Sequence, residues 1–324
     1  MSNKILVTGA TGFIGSHLVE FLVKNSYNVI AFDRYNISNN YGFLENSKFK
    51  NDIEFVLGDI RDYDSVNKVM KRCKKCIHLA ALIGIPYSYI SPLAYIRTNV
   101  EGTYNILESA RSYNYDEILV TSTSEIYGSA QYKPMNENHP IAPQSPYAAS
   151  KVAADQLSIS YFKSFDLPIK IIRPFNVYGP RQSSRAIIPT IINQMLQSDK
   201  LNLGNIDVIR DYTYVEDTVK AFVKILKSKK IYGEVVNVGT NHPIKIKHII
   251  KKVSSILNKN VKININKKKV RPKKSEVLEL ICDNSKIKKL TSWKESVSFE
   301  KGLENTIIWN KENIKDFKKN IYYV

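Results

Sequence analysis

The sequence predicts an α/β protein: a doubly wound parallel sheet with a smaller α/β lobe assembled from discontinuous segments. Three observations carry this. Short β-branched runs alternate with longer amphipathic stretches through the first half of the chain, as in a parallel sheet covered on both faces. The first run, KILVT, leads into three glycines spaced by three and then a helical pattern. Beyond Pro174 the alternation loosens, punctuated by Gly179-Pro180, Pro189 and Gly204.

In chain order, strands are expected over 4–8, 28–33, 53–58, 76–80, 117–121 and 169–173, with helical patterns between them such as Asn99-Val100-x5-Ile106-Leu107-x2-Ala110. A helix over 215–227 and a strand over 235–238 return the chain to the first lobe, and helices near 246–257 and 299–310 finish it. The first lobe is therefore expected to hold 1–178 plus about 212–242, and the second about 179–211 plus 243–324. The 324 residues exceed the usual size of one compact core, in keeping with two lobes.

Apolar residues make up 43% of the chain, enough for a sizeable interior, and no run of 18 uncharged apolar residues indicates a membrane span. The start, MSNKILVTGATGFIG, lacks the charged, apolar and small-residue regions of an export signal, so a cytoplasmic location is expected. Three cysteines are too few for a disulfide framework. Cys73 and Cys76 have Cys-x-x-Cys spacing without a second pair or nearby histidines, so they are read as packed or surface thiols and no metal is expected. The net charge of +18 raises nucleic acid as a partner. The lysines are spread out, however, concentrating only towards the C-terminus (Lys251, Lys252, Lys267, Lys268, Lys269, Lys273, Lys274), and no nucleic-acid motif accompanies them. An anionic small substrate needs only a few of them.

Gly9-Ala10-Thr11-Gly12-Phe13-Ile14-Gly15 lies between the first strand and a helix pattern. Glycines there let the backbone approach a pyrophosphate, and the helix N-terminus supplies N–H groups and a favourable dipole, which is the dinucleotide site of a Rossmann sheet. Asp33, eighteen residues after Gly15, closes strand two. An acid there accepts hydrogen bonds from the adenosine ribose and repels a 2′-phosphate, favouring NAD. Arg34 beside it can hold a 2′-phosphate, so NADP stays open. Asp59, with Ile60, is placed to reach the adenine edge, with a helix cap as the alternative for Asp59. Leu79, Ala80 and Ala81 line the cofactor's path. His78 is read as a satisfied core imidazole, and His139, in the loop MNENHPIAPQSP, as solvent-facing.

Tyr147-Ala148-Ala149-Ser150-Lys151 puts a phenol and an ammonium on one face of a helix. A free tyrosine is a poor base at neutral pH, but a nearby cation favours phenolate. Lys151 can also bond a nicotinamide ribose. The hydroxyls Ser122-Thr123 follow an apolar strand, and Glu125 follows them.

These segments resemble the extended short-chain dehydrogenase/reductase family, the NAD-dependent nucleotide-sugar epimerases and dehydratases. The likeness covers nearly the whole chain: TGATGFIG, GDIRD, HLAA, TNVEGT, STSEIYG, SPYAASK, RPFNVYGPRQ, RDYTYVEDTVKA, NVGT and RPKKSEV. It implies a Rossmann lobe for NAD(P), a smaller lobe gripping a nucleotide diphosphate-sugar, and Thr123, Tyr147 and Lys151 as the catalytic trio. It implies that Asn176 bonds the sugar-nucleotide phosphates. Arg185, Arg210 and Arg271 are candidates to clamp them, with Arg210 the best placed and Glu276 able to orient Arg271. Family members pair through two helices each, here 91–112 and 146–165, so a homodimer or larger homo-oligomer is expected.

The resemblance also gives Glu125 a use. Epimerases of the group carry a small residue there, because they only oxidise and re-reduce C4. The 4,6-dehydratases carry Glu to remove the C5 proton, after which the C6 hydroxyl leaves as water and a 4-keto-6-deoxy sugar results. Some have Thr-Asp-Glu, the Asp protonating the leaving group. This chain has Ser124 there, as GDP-mannose dehydratases do, so either Glu125 is both base and acid or a water at Ser124 delivers the proton. UDP-glucuronate decarboxylases share Thr-Ser-Glu and are the rival reading, with Arg181 or Arg185 as the cation for the carboxylate. A 4-epimerase and a non-catalytic NAD sensor remain as further alternatives. AALIGIPYSY, RPFNVYGPRQSSRAIIPT and RPKKSEVLELICDNSKIKKLTSW resemble dehydratases of the legionaminic acid pathway, which implies GDP-N-acetylglucosamine as substrate, with UDP-N-acetylglucosamine as the variant.

Overall fold

A computed structural model describes residues 4–266 and 272–314. Its strands are β1 (Lys4–Thr8), β2 (Asn28–Arg34), β3 (Ile53–Gly58), β4 (Lys75–His78), β5 (Glu117–Thr121), β6 (Ile169–Pro174), β7 (Asn176–Tyr178), β8 (Lys200–Leu203), β9 (Ile209–Tyr214), β10 (Val235–Val238), β11 (Pro243–Lys245), β12 (Lys262–Ile265) and β13 (Glu279–Leu280). The helices are α1 (Phe13–Lys24), α2 (Tyr63–Met70), α3 (Ile85–Ile90), α4 (Pro92–Tyr95), α5 (Gly102–Ser112), α6 (Pro146–Phe165), α7 (Ile187–Gln197), α8 (Val215–Lys227), α9 (Ile246–Leu257), α10 (Ser285–Thr291) and α11 (Phe299–Glu312).

Seven strands form one sheet in the order β10-β6-β5-β4-β1-β2-β3, every pairing parallel. Its apolar runs are unbroken because both faces are covered. Ile5 and Val7 pack with Leu18 and Leu22 of α1 and Phe222 of α8, while Leu6 turns the other way to Val66 and Val69 of α2 and Ile106 of α5. The sheet is thus the doubly wound Rossmann form expected. The second lobe holds a sheet of β11-β9-β13, with β7 paired to β9, and a separate β12-β8 pair. That pairing places Asn176–Tyr178 and the whole of β9 with the second sheet. Among the described residues no helix is long and apolar enough to cross a membrane.

Two elements differ from expectation. The fourth strand ends at His78 rather than running to residue 80. There the Ala80 amide donates to the Thr8 hydroxyl at 3.1 Å, so the chain leaves the ladder through a side chain. The helix expected over 91–112 is broken. Ser91 is non-helical, α4 follows, and Ile96–Glu101 forms a π-helical turn before α5. That wider turn carries Asn99, whose amide donates to Leu82 O and to Ser150 Oγ, both at 2.9 Å. Such turns occur at functional sites, and this one ties the loop after β4 to the helix bearing Tyr147.

Candidate active site

The crevice lies at the carboxyl ends of β1 and β4, where the strand order reverses, the place open sheets of this kind bind ligands. The three glycines behave differently. Gly9 has φ +66°, and a Cβ on it would lie 2.8 Å from the Ala80 nitrogen. A Cβ on Gly15 would meet Gly9 O at 2.0 Å, whereas one on Gly12 finds nothing nearer than 3.5 Å. Packing therefore requires Gly9 and Gly15, while the space at Gly12 is left for something from outside. Gly12 also N-caps α1 without a side-chain bond, so the first-turn N–H groups are open to a phosphate. The residues fit a dinucleotide. Gly12→Ala is accordingly expected to keep the wild-type melting temperature but bind NAD at least about ten-fold more weakly, measured by calorimetry. Gly15→Ala should instead lose about 1–3 kcal/mol of stability from overpacking.

Asp33 Oδ2 accepts from the Thr11 amide and hydroxyl, both at 2.7 Å, and Oδ1 accepts from the Arg34 amide at 2.7 Å. The carboxylate is thus oriented at the glycine loop, and Arg34 is exposed beside it. Asp59 is held by Arg61, with Nε–Oδ1 at 2.9 Å, and the guanidinium keeps its carboxyl below the usual range. It is not the cap of α2; Asp62 is. Ile60 is buried against the helix face at Gly102, and Leu79, Ala80 and Ala81 are half-buried along the crevice wall.

Helix α6 starts where its sequence says it should: the Ser145 hydroxyl accepts from the Ala148 amide at 3.1 Å and Pro146 occupies the first turn. Tyr147 and Lys151 are both buried on its inner face. The Thr123 hydroxyl favours ionisation of the phenol, and the charge of Glu125 opposes it. Glu125 is half-buried on the turn Ser124–Tyr127, its amide donating to Thr123 Oγ1 at 3.3 Å, while Ser124 is buried. The Tyr95 ring stands edge-on to Tyr147 at 6.2 Å. Burial, then the carboxylate of Glu125, raises the Tyr147 pKa; burial draws Lys151 down to about 8, with Asp155 opposing. The Lys151 ammonium donates to Thr121 O at 2.5 Å. His78 accepts from the Thr8 hydroxyl at 2.7 Å and donates to Thr103 at 3.2 Å; burial pushes it down to about 3, a satisfied neutral imidazole.

The expectation for His139 is corrected. It is buried, its Nε2 accepting from the Gln131 amide and its Nδ1 donating to Pro140 O, both at 3.0 Å, with Tyr127 and Tyr132 packed on the ring. A polar loop folded over its own histidine because those two backbone groups needed a partner away from water. Cys73 and Cys76 are buried free thiols, and the described residues hold no metal-ligating cluster.

On the substrate side, Asn176 Oδ1 is buried with no hydrogen-bond partner among the described residues, as befits a position awaiting a polar ligand. Arg185 is exposed with Nη1 beside Gly84, and its charge reaches Tyr95, whose ring packs on Tyr147. Arg210 is buried and turned inward: it donates to the carbonyls of Ile209 (2.9 Å), Leu278 (3.2 Å) and Val277 (2.7 Å), leaving Nε and one Nη2 hydrogen for a ligand. Arg181 is committed to a bidentate pair with Glu20, at 2.9 and 3.1 Å. Arg271 and Lys267–Lys269 lie outside the described residues, and Glu276 is half-buried.

Sequence reasoning missed Asp155, Arg173 and Tyr127, which form a buried network behind this pocket. One signal was available: residues 147, 151 and 155 recur at four-residue spacing on one helix face.

Residues 6–306 match the family model described as GDP-mannose 4,6 dehydratase. The UDP-glucuronate 4-epimerase of Thermodesulfobacterium geofontis is 32% identical, over 97% of this chain and 98% of its own. The dTDP-D-glucose 4,6-dehydratase of Dictyostelium discoideum is also 32% identical, over 96% of this chain and 82% of its own. The crystal structure of UDP-glucuronic acid 4-epimerase from Bacillus cereus, in complex with UDP-glucuronic acid and NAD, superposes with a TM-score of 0.88 at 33% identity, covering 96% of this chain and 99% of that one. Relatives of both reactions match nearly the whole chain, the epimerases at least as well as the dehydratases, and the reaction must be read from the site.

Proposed function

This chain belongs to the NAD-dependent nucleotide-sugar epimerases and dehydratases matched by the GDP-mannose 4,6 dehydratase model, and on that premise we propose that it is a nucleotide-sugar 4,6-dehydratase. The observation that carries the reading is Glu125. A carboxylate acts on the buried Tyr147 phenol from the same turn that presents Thr123. A 4-epimerase needs no second base, and a non-catalytic sensor needs no proton shuttle at all.

NAD is the cofactor that fits the glycine loop and Asp33. Bound there, it would supply the hydride acceptor for C4 and the hydride donor for C6. Tyr147, as phenolate, removes the C4 hydroxyl proton while Thr123 holds that oxygen. Lys151 supplies the positive charge that favours phenolate in a buried site and bonds the ribose. The 4-ketone acidifies the C5–H bond, and Glu125 takes that proton. Glu125 then protonates the C6 hydroxyl as it leaves, giving water, the half-exposed carboxylate being preferred to a relay at Ser124, which is buried. With the hydride returned to C6, C5 takes a proton from solvent, and Tyr147 gives up to solvent the one it took from the C4 hydroxyl, so both side chains are restored. Asn176, Arg185, Arg210 and Arg271 are assigned to the diphosphate and nucleoside.

For the substrate we propose a nucleotide-linked N-acetylglucosamine, GDP-N-acetylglucosamine first and UDP-N-acetylglucosamine second, used in the cytoplasm in legionaminic acid synthesis. Exposed Ile90, Leu93 and Ile96, beside the Tyr147 helix, form the apolar face we assign to a second copy in a homodimer. The test is mass spectrometry of GDP-, UDP-, dTDP- and CDP-linked sugars incubated with the protein and NAD. Loss of one water from an N-acetylglucosamine nucleotide is the expected result. Loss of carbon dioxide from UDP-glucuronate would establish a decarboxylase, a reading that the Arg185 guanidinium near Tyr95 favours. Unchanged mass with C4 inverted would mean an epimerase.

A further inference from the structure

Ser122 and Tyr127 bracket the turn that presents Thr123 and Glu125. The Ser122 hydroxyl donates to Asp155 Oδ2 at 2.7 Å. The Tyr127 hydroxyl accepts from Arg173 Nη1 at 3.0 Å and donates to Asn237 Oδ1 at 2.8 Å. Asp155 and Arg173 are themselves joined, Nε and Nη2 reaching Oδ2 at 3.1 and 3.0 Å, and both are almost wholly buried. Asp155 follows Lys151 by one helical turn and Tyr147 by two. One buried ion pair therefore grips both ends of the Thr123–Glu125 segment while its acid stands on the helix carrying the phenol and the ammonium.

We propose that Asp155 and Arg173 are a positioning pair for the reaction, fixing the turn of Thr123 and Glu125 against the helix of Tyr147 and Lys151, with the Asp155 carboxylate one helical turn from the Lys151 side chain. A pair kept for stability alone has little reason to be ionic, since well-packed apolar residues do as well. Nor is this pair saturated: Asp155 Oδ1 is buried without a partner among the described residues. The charges that bear on Lys151 agree. Asp155 is the group that raises its pKa against burial; His78, from β4, is held neutral; and Arg173, from β6, is neutralised by Asp155 itself. Tyr147 on the same helix and Glu125 on the facing turn complete the set. The partner of Ser122 is not readable from the sequence, because it lies 33 residues away.

The inference rests on Tyr147, Lys151 and Glu125 being the reacting groups, so part of its test needs no turnover. In the purified full chain with NAD, Ser122→Ala and Tyr127→Phe should each speed amide exchange over 122–128 at least about ten-fold while strands β1 and β4 keep their protection. In Asp155→Asn, competitive acetylation across pH should place the Lys151 titration below its wild-type position. With GDP-N-acetylglucosamine or UDP-N-acetylglucosamine, Ser122→Ala and Tyr127→Phe should lower kcat about ten- to a hundred-fold with KM nearly unchanged, as misplaced groups do. The pair has no positioning role if exchange over 122–128 stays at the wild-type rate in both variants, or rises equally throughout the sheet. An unmoved Lys151 titration in a folded Asp155→Asn overturns the electrostatic half. Should Asp155→Asn fail to fold, Ser122→Ala and Tyr127→Phe decide the matter. Failure of the reacting-group assignment shows separately, as full activity in Tyr147→Phe.

Discussion

Tyr147→Phe should lower kcat by about a thousand-fold while leaving the protein folded, because general-base catalysis contributes roughly 10²–10⁴ and the phenyl ring keeps its place. That ring packs edge-on against Tyr95 at 6.2 Å, a contact that needs no hydroxyl. The loss should fall on C4 oxidation itself, so no 4-keto sugar and no dehydrated product accumulate. The pH dependence follows from the two partners. Lys151 carries its charge below about 8 and loses it above, so the rate should fall on the alkaline side of that point as the ammonium disappears. Burial and Glu125 hold Tyr147 protonated at neutral pH in the absence of cofactor, so the acid limb should report the lowering of the phenol that a bound nicotinamide cation brings. Lys151→Met should remove the alkaline limb and weaken NAD binding together. A Tyr147→Phe enzyme retaining a tenth of wild-type kcat would remove the phenol from its role.

Glu125→Gln separates dehydration from simple redox chemistry. The amide is close in size and keeps the turn, whose backbone bond from residue 125 to Thr123 Oγ1 does not involve the carboxylate. C4 oxidation should continue, and removing the negative charge should ease ionisation of Tyr147, whose pKa that charge raises. The C5 proton then has no base. In deuterium oxide, exchange at C5 should fall at least about a hundred-fold, the loss expected for one proton-transfer catalyst, and product formation with it. The ketone should be the species that accumulates, visible by mass as one incorporated deuterium after borodeuteride trapping. Dehydrated product at the wild-type rate from Glu125→Gln would show that the carboxylate is not the agent and place the C5 base on another residue.

Much of the frame was legible because it is local. KILVT, the glycine triplet and the start at Ser145-Pro146 are decided by residues within a few positions of one another, and β1, β3, β5, α8, β10 and α9 fall where the alternation puts them. Tyr147 and Lys151 share a face because four residues nearly make a helical turn. The failures were non-local. The π turn at 96–101 depends on Asn99 reaching Leu82 and Ser150, the latter 51 residues on. His139 is buried because Tyr127 and Tyr132 close over it, which a polar loop composition conceals. Arg210 looks like a free cation in the sequence, yet three carbonyls take most of its donors.

The sequence by itself determined the strand-helix order, the phosphate-binding turn and the identity of the groups able to move protons. The tertiary structure alone decided which arginines are spent and that Asp155 and Arg173 grip the turn of Thr123 and Glu125. Those contacts join positions as far apart as Tyr127 and Asn237, 110 residues, and exist only once the packed sheet has excluded water, which makes an unpaired buried polar group costly.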